Sequence, residues 1–320
     1  MNKYQNKIAI TTGDINGIGT EITIKALNNL NIPNDKIVII TNKQNFETYD
    51  KLNNKYEIID IDFNGQVEYG QLTKESGEFS FNCLKMACEI KPKAIVTAPI
   101  SKEAFYLAGH KFNGQTEVLE HYLAHDNQKA EMLFVSKGFN VLLLTRHCAL
   151  KDINITEDLI IEKVLRLNEF FKQNYKIQAP NFALCSLNPH AGEGGILGTE
   201  EIETIIPAVE KLHKKGINIT KPLPSDTLFV DAAKNYFNNQ NAPYDCYIAM
   251  YHDQGLIPIK SIAGDCTVNT TIGLPITRTS PSHGTAFDIA GKNIAKPDSM
   301  ISAIKTALQL TQASNQPLNV

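Results

Sequence analysis

Short apolar runs alternate along the chain with longer segments in which apolar residues recur every three or four positions. The runs at 7–11, 36–41 and 94–98 predict strands, and the periodic segments at 21–30, 44–52 and 79–90 predict helices. Ser101 is placed to cap a further helix, with Glu103 in its first turn. Residues 156–173 and 199–215 carry long helical patterns, the second opening on Glu200, Glu201 and Glu203. Apolar runs at 141–144, 182–184 and 247–250 predict three more strands. Strand–helix alternation of this kind implies βαβ units and a mostly parallel sheet. No repeat, low-complexity tract or flexible linker divides the chain, so two α/β lobes that exchange chain are expected.

Composition narrows the class. A chain of 320 residues exceeds one typical core and suggests two domains or one large α/β unit. Its 42% apolar and 20% charged residues are ordinary for a globular protein, and a net charge of −3 gives no reason to expect nucleic acid or an anionic membrane as partner. No stretch is long enough to span a membrane, and the first residues lead into a strand without a signal-like region. Cys83, Cys88, Cys148, Cys185, Cys246 and Cys266 form no CxxC pair and stand mostly in apolar context. They read as reduced core residues of a cytoplasmic protein.

Three histidines carry the chemistry. His147 in Thr-Arg-His, His190 in Asn-Pro-His-Ala-Gly-Glu-Gly-Gly and His252 in Tyr-His-Asp-Gln-Gly each follow one of the last three predicted strands. Side chains at the carboxyl ends of parallel strands face the ligand crevice of an α/β protein. Three neutral imidazoles with an open position suit a catalytic divalent metal. Asp226, in Pro-Leu-Pro-Ser-Asp-Thr-Leu-Phe, is either an oxygen donor to that site or a helix cap. Lys260, Asn269 and Arg278 supply a cation, an amide and a guanidinium, a set suited to phosphate or carboxylate. The glycines of Thr12-Gly13-Asp14-Ile15-Asn16-Gly17-Ile18-Gly19 read equally well as a ligand loop or a tight strand-to-helix turn; they match neither the P-loop nor GxGxxG.

Taken in order, the Gly13–Gly19 loop, Thr97-Ala98-Pro99-Ile100-Ser101-Lys102, the His190, Asp226 and His252 motifs and Gly273-Leu274-Pro275 through Arg278-Thr279-Ser280 resemble the 4-hydroxythreonine-4-phosphate dehydrogenases of pyridoxal phosphate biosynthesis. That resemblance implies a divalent metal (zinc, magnesium or cobalt) on His147, His190, His252 and Asp226, and substrate contacts from Lys260, Asn269 and Arg278. It also implies a homodimer with a shared active site, a small phosphorylated hydroxy amino acid as substrate, and no nucleic acid or membrane partner. Where the family has Gly-His-Thr-Glu, this chain has Gly114-Gln115-Thr116-Glu117. Thr116 and Gln115 then fall at the substrate, but Gln115 takes up no proton near neutral pH.

The segment Ser282-His283-Gly284-Thr285-Ala286-Phe287-Asp288 resembles the adenine-side NAD loop of isopropylmalate and isocitrate dehydrogenases. The resemblance places NAD or NADP at His283, Gly284, Thr285, Ala286 and Asp288. It implies two interleaved α/β/α lobes with a cleft between them, a fold unlike the standard Rossmann type. A cofactor-side lobe is expected from 1–118 with 265–320, and a metal-site and dimerisation lobe from 119–264. The implied reaction oxidises 4-hydroxythreonine 4-phosphate and decarboxylates the product to 3-amino-2-oxopropyl phosphate. Gln115 keeps a second substrate class open, threonate or erythronate 4-phosphate. A metal hydrolase on the same histidines would need a base that these motifs do not supply.

Overall fold

A computed structural model describes residues 2–49, 55–126, 128–240 and 242–311. The chain begins β1 (Ile8–Thr11), α1 (Gly19–Leu30), β2 (Ile37–Thr41), α2 (Lys43–Tyr49), β3 (Glu57–Asp60), α3 (Lys74–Glu89), β4 (Ala94–Thr97), α4 (Lys102–Leu107) and α5 (Gln115–Leu123). It continues through β5 (Glu131–Ser136), β6 (Phe139–Leu143), α6 (Glu157–Phe170), β7 (Asn181–Leu184), α7 (Ile206–Lys214), β8 (Asn218–Ile219), α8 (Ser225–Phe237), β9 (Cys246–Ala249) and α9 (His252–Ala263). The last elements are β10 (Val268–Ile272), β11 (Thr277–Pro281) and α10 (Asp298–Thr311). Two compact units result, one from Met1–Ala130 with Val268–Gln312 and one around Glu131–Thr267.

The first unit has strand order β3-β2-β1-β4-β11-β10, parallel except for the β10–β11 pair. Period-two alternation sends Ile8, Ile10, Ala94 and Val96 into one core with α1 and α10. Ala9, Val38, Ile40 and Ile95 enter the other, with Phe79, Leu84 and Phe105. Both faces are covered, which is why these strands read as unbroken apolar runs. The expected helix at 79–90 starts earlier, at Lys74, because the Thr73 hydroxyl accepts the Ser76 amide as an N-cap. Ser101 caps α4 by accepting from the Ala104 amide. Of the helix expected at 44–52, residues 50–52 lie outside the described residues.

In the second unit the order is β5-β6-β9-β7-β8, with a β5–β6 hairpin and parallel pairing thereafter. Its core gathers Phe134, Val141, Ala183, Tyr247 and Ile259. Buried Glu131 pairs with Lys163 and, at 2.8 Å, with Arg166, anchoring α6 to β5. The two long helices expected here form, each with one wide π turn: Phe171–Tyr175 ends the first and Glu201–Ile205 opens the second. Four cysteines are buried; Cys148 and Cys266 are exposed, because they stand in the loop after β6 and the turn after α9 rather than in an element.

Candidate functional site

In the second unit the adjacent parallel strands β6, β9 and β7 each end in a segment that carries one of the three histidines. His147 lies in the loop after β6, His252 is the first residue of α9, and His190 lies in the loop after β7. The His147 and His252 rings face one another with centroids 5.6 Å apart. They line a cavity of about 280 Å³ with Arg146, Tyr251 and Asp253. His190 and Asp226 line a second cavity, of about 390 Å³, with Ser186, Asn188, Ser225 and Gln254. Tyr251 belongs to both. The structure thus groups the four expected metal ligands as two pairs. Among the described residues no three His, Cys, Asp or Glu side chains converge on one point.

The loop that presents His190 is under backbone strain. His190, Ala191, Gly192, Glu193 and Gly194 all have positive φ, from 45° to 79°. For the three non-glycine residues this costs roughly 1–2 kcal/mol each, so the surroundings must hold the loop in place. Glu201 does so. Only 1% exposed, its Oε1 accepts the Leu187 and Asn188 amides, both at 2.8 Å, and its Oε2 accepts Asn188 Nδ2 at 2.9 Å. A Cβ at Gly192 would stand 2.9 Å from Glu201 Oε2 and from the Gly198 carbonyl, so the motif's glycine serves this close packing. In the sequence Glu201 reads only as part of an acidic helix start, and its spacing from Asn188 gives no sign of their contact.

His252 is prepared differently. Its Nδ1 is 2.7 Å from Asp253 Oδ1, which leaves Nε2 available to coordinate, the pairing found in carboxylate–histidine–metal arrangements. By its chemistry, a set of three imidazoles and a carboxylate would suit a borderline divalent cation.

In the first unit the loops after β1, β4 and β11, strands β10 and β11 and the start of α5 hold most of the remaining candidates. Residues 11–20 are buried. Gly13, at φ +70°, packs so tightly that a Cβ would stand 2.1 Å from the Pro99 carbonyl, and one at Gly19 would stand 1.9 Å from the Thr12 carbonyl. These glycines therefore seat the β1 loop against the β4 loop and are not an open ligand cradle. Buried Asp14 accepts from the Asn16 amide at 3.0 Å and from Ser76 Oγ at 3.3 Å. Burial nevertheless pushes its carboxyl up to about 6.

Arg278, 3% exposed, donates Nε to Thr97 Oγ1 at 2.8 Å. Burial lowers its pKa to about 9, with the Glu117 charge opposing. In the β10–β11 ladder Arg278 faces Thr271 and Ser280 faces Asn269, so Asn269 and Arg278 are diagonal neighbours on one sheet face. The Asn269 side-chain oxygen is buried without a partner. Lys260 is exposed, near the end of α9 in the second unit. Thr116 is buried in the first turn of α5, and Gln115 donates Nε2 to the Ala98 carbonyl at 3.0 Å. The Gln115 amide is thus already tied to the strand-end loop after β4.

The loop after β11 leaves His283, Gly284 and Asp288 exposed. Its Thr285 carbonyl accepts the Ile18 amide at 3.1 Å, and Ala286 takes a left-handed φ of 45°. A Cβ on Gly284 would meet nothing within 4 Å. Exposed backbone followed by an exposed carboxylate fits the hydroxyls of a nucleotide.

The family model described as pyridoxal phosphate biosynthetic protein PdxA matches residues 9–307. The chain is 41% identical to a 4-hydroxythreonine-4-phosphate dehydrogenase of Sulfurihydrogenibium sp., covering 95% of this chain and 98% of the relative. It is 34% identical to a D-threonate 4-phosphate dehydrogenase of Cupriavidus necator, covering 97% and 98%. A crystal structure of 4-hydroxythreonine-4-phosphate dehydrogenase from Klebsiella pneumoniae superposes with TM-score 0.83 at 32% identity, over 96% of this chain and 100% of that one. A β-decarboxylating dehydrogenase from Thermococcus kodakarensis shares the fold at TM-score 0.51 and 15% identity, over 96% and 82%.

Proposed function

The chain belongs to the PdxA family, and from that premise we propose that it oxidises 4-hydroxythreonine 4-phosphate with NAD or NADP, using one divalent metal per site. The alcohol becomes a ketone, and the resulting β-keto acid loses carbon dioxide to leave 3-amino-2-oxopropyl phosphate. One observation carries the reading: adjacent parallel strands β6, β9 and β7 deliver His147, His252 and His190 to the same end of one sheet. When bound, the metal supplies Lewis-acid polarisation of substrate oxygens and the nicotinamide accepts the hydride.

The chain's own residues divide the remaining work. His147, His190, His252 and Asp226 would hold the metal, and an imidazole-rich set suits zinc or cobalt better than magnesium. Asp253 fixes the His252 ring so that Nε2 is the donor. Arg278, enclosed and held by Thr97, would pair with a phosphate or carboxylate, since burial strengthens such a charge-assisted bond. Asn269, Thr116, Gln115 and the exposed Lys260 would complete the substrate contacts. His283, Gly284, Thr285, Ala286 and Asp288 would receive the nucleotide.

A homodimer with a shared active site follows from the same premise. Two observations support it: no three ligands converge among the described residues of one chain, and Ile196, Leu197 and Ile202 stand 80%, 45% and 50% exposed beside the His190 loop. The cytoplasm is the proposed location; among the described residues no helix is long and apolar enough to cross a membrane. A second reading, D-threonate 4-phosphate as substrate, is supported by the 34% identity to the Cupriavidus enzyme and kept open by Gln115 at the position of the family's histidine.

The test is reduction of NAD and of NADP by metal-stripped protein to which zinc, cobalt or magnesium is restored, with 4-hydroxythreonine 4-phosphate and D-threonate 4-phosphate compared. Metal-dependent turnover with higher kcat/KM for the amino substrate is expected. The reverse preference would transfer the assignment to the second reading, and no reduction of NAD or NADP with either substrate would refute the dehydrogenase.

A further inference from the structure

We infer that Gln254 is a positioning residue for the metal ligands, binding together the three strand-end segments that carry His252, His190 and Asp226. The inference rests on the metal-site reading above. Gln254 stands in the first turn of α9, two residues after His252. Its Oε1 accepts the Met250 amide at 2.7 Å. Its Nε2 donates to the Ser186 carbonyl at 2.7 Å and to Ser225 Oγ at 2.9 Å. Met250 follows β9 and leads into His252; Ser186 follows β7 and leads into the His190 loop; Ser225 opens α8 beside Asp226.

A glutamine at the third position of a helix commonly reaches back to the chain before it, and the bond to Met250 is of that kind. Helix capping alone does not account for the other arm. Both amide hydrogens leave the helix, for the loop after β7 and for the start of α8, so one planar group fixes three segments at once. The bonding requires an amide. A carboxylate keeps the acceptor for Met250 but has no hydrogen for Ser186 or Ser225, and it sets a negative charge against the Ser186 carbonyl. A second clamp already exists on the same loop, since Glu201 holds Leu187 and Asn188. Gln254 therefore sets where the His190 loop stands relative to His252, and Glu201 sets the loop's internal shape. Gly255 lets this happen at short range: a Cβ there would lie 2.6 Å from Leu143 Cδ2, so α9 packs directly on the end of β6.

The test is cobalt binding to metal-stripped protein, read by calorimetry and by the visible absorption of the bound ion, with thermal unfolding measured in parallel. In Gln254→Glu, cobalt affinity should fall by about 10–100-fold, as for loss of other partners that orient metal ligands, and the absorption should change shape. Ser225→Ala removes a single arm of the clamp and should weaken cobalt by a smaller factor at an unchanged Tm; it decides the matter should Gln254→Glu fail to fold. Unaltered affinity and spectrum in folded Gln254→Glu, or in Ser225→Ala if that protein alone folds, would overturn the inference. Absence of cobalt binding by the native protein would instead overturn the metal-site reading.

Discussion

The two units present chemistry from the same place, the carboxyl ends of parallel strands, but fix it by opposite means. In the first, backbone packing sets the loops after β1 and β4: Gly13 and Gly19 leave no room for a Cβ, and residues 11–20 are buried. In the second, side chains set the loops. Glu201 and Gln254 hold segments whose ends, His190 and Glu193, are exposed and strained. On the proposed reading, backbone contacts would suit a surface that receives a large nucleotide over its length. The proposed metal ligands would need individual aim, and hydrogen-bonded side chains provide it.

This contrast can be broken from either side. Gly13→Ala should have the largest effect on stability, since the new methyl meets a carbonyl and the residue must keep a positive φ. A loss of at least about 3 kcal/mol is expected, read as a fall in the urea midpoint, and an unchanged midpoint would mean the β1 loop is not set by close packing. Asp14→Asn should act in the other direction. A buried acid raised from 3.8 to about 6 is stabilising for the fold below pH 3.8, and that advantage is lost as pH rises through 6. The asparagine protein should match the native one near pH 3.5 and exceed it by about 3 kcal/mol at neutral pH; parallel pH profiles would contradict the assignment.

Glu201→Gln removes the charge that gathers three N–H groups in the second unit. A cost of about 1.5–3 kcal/mol is expected, together with weaker cobalt binding and no change in NAD affinity. The smallest effect belongs to Gly284→Val, because space at this glycine is open. Stability should hold while the KM for NAD rises about tenfold, the equivalent of 1.4 kcal/mol. An unaltered KM would move the nucleotide elsewhere.

Much of the architecture was legible in the sequence because parallel strands buried on both faces leave plain apolar runs, as at β1, β2 and β4. The three histidines were legible because each follows such a run. Less could be read where contacts are remote in sequence. Glu201 reaches Asn188 across the glycine loop, and Gln254 reaches Ser186 and Ser225 from another element, distances that no periodicity encodes. The Gly13–Gly19 loop looked like either a ligand cradle or a tight turn, since glycine is required for both. Only the position of Pro99 decides between them. Gly-Gln-Thr-Glu points Gln115 to substrate but does not encode its bond to Ala98, which a neighbouring strand end supplies.

The division of labour between the units is tested most directly by titrating His190→Ala with cobalt and with NAD in separate calorimetric runs. Cobalt affinity should fall by at least about 100-fold, while the Kd for NAD stays at the native value. Retained cobalt binding, or loss of both ligands together, would contradict the account.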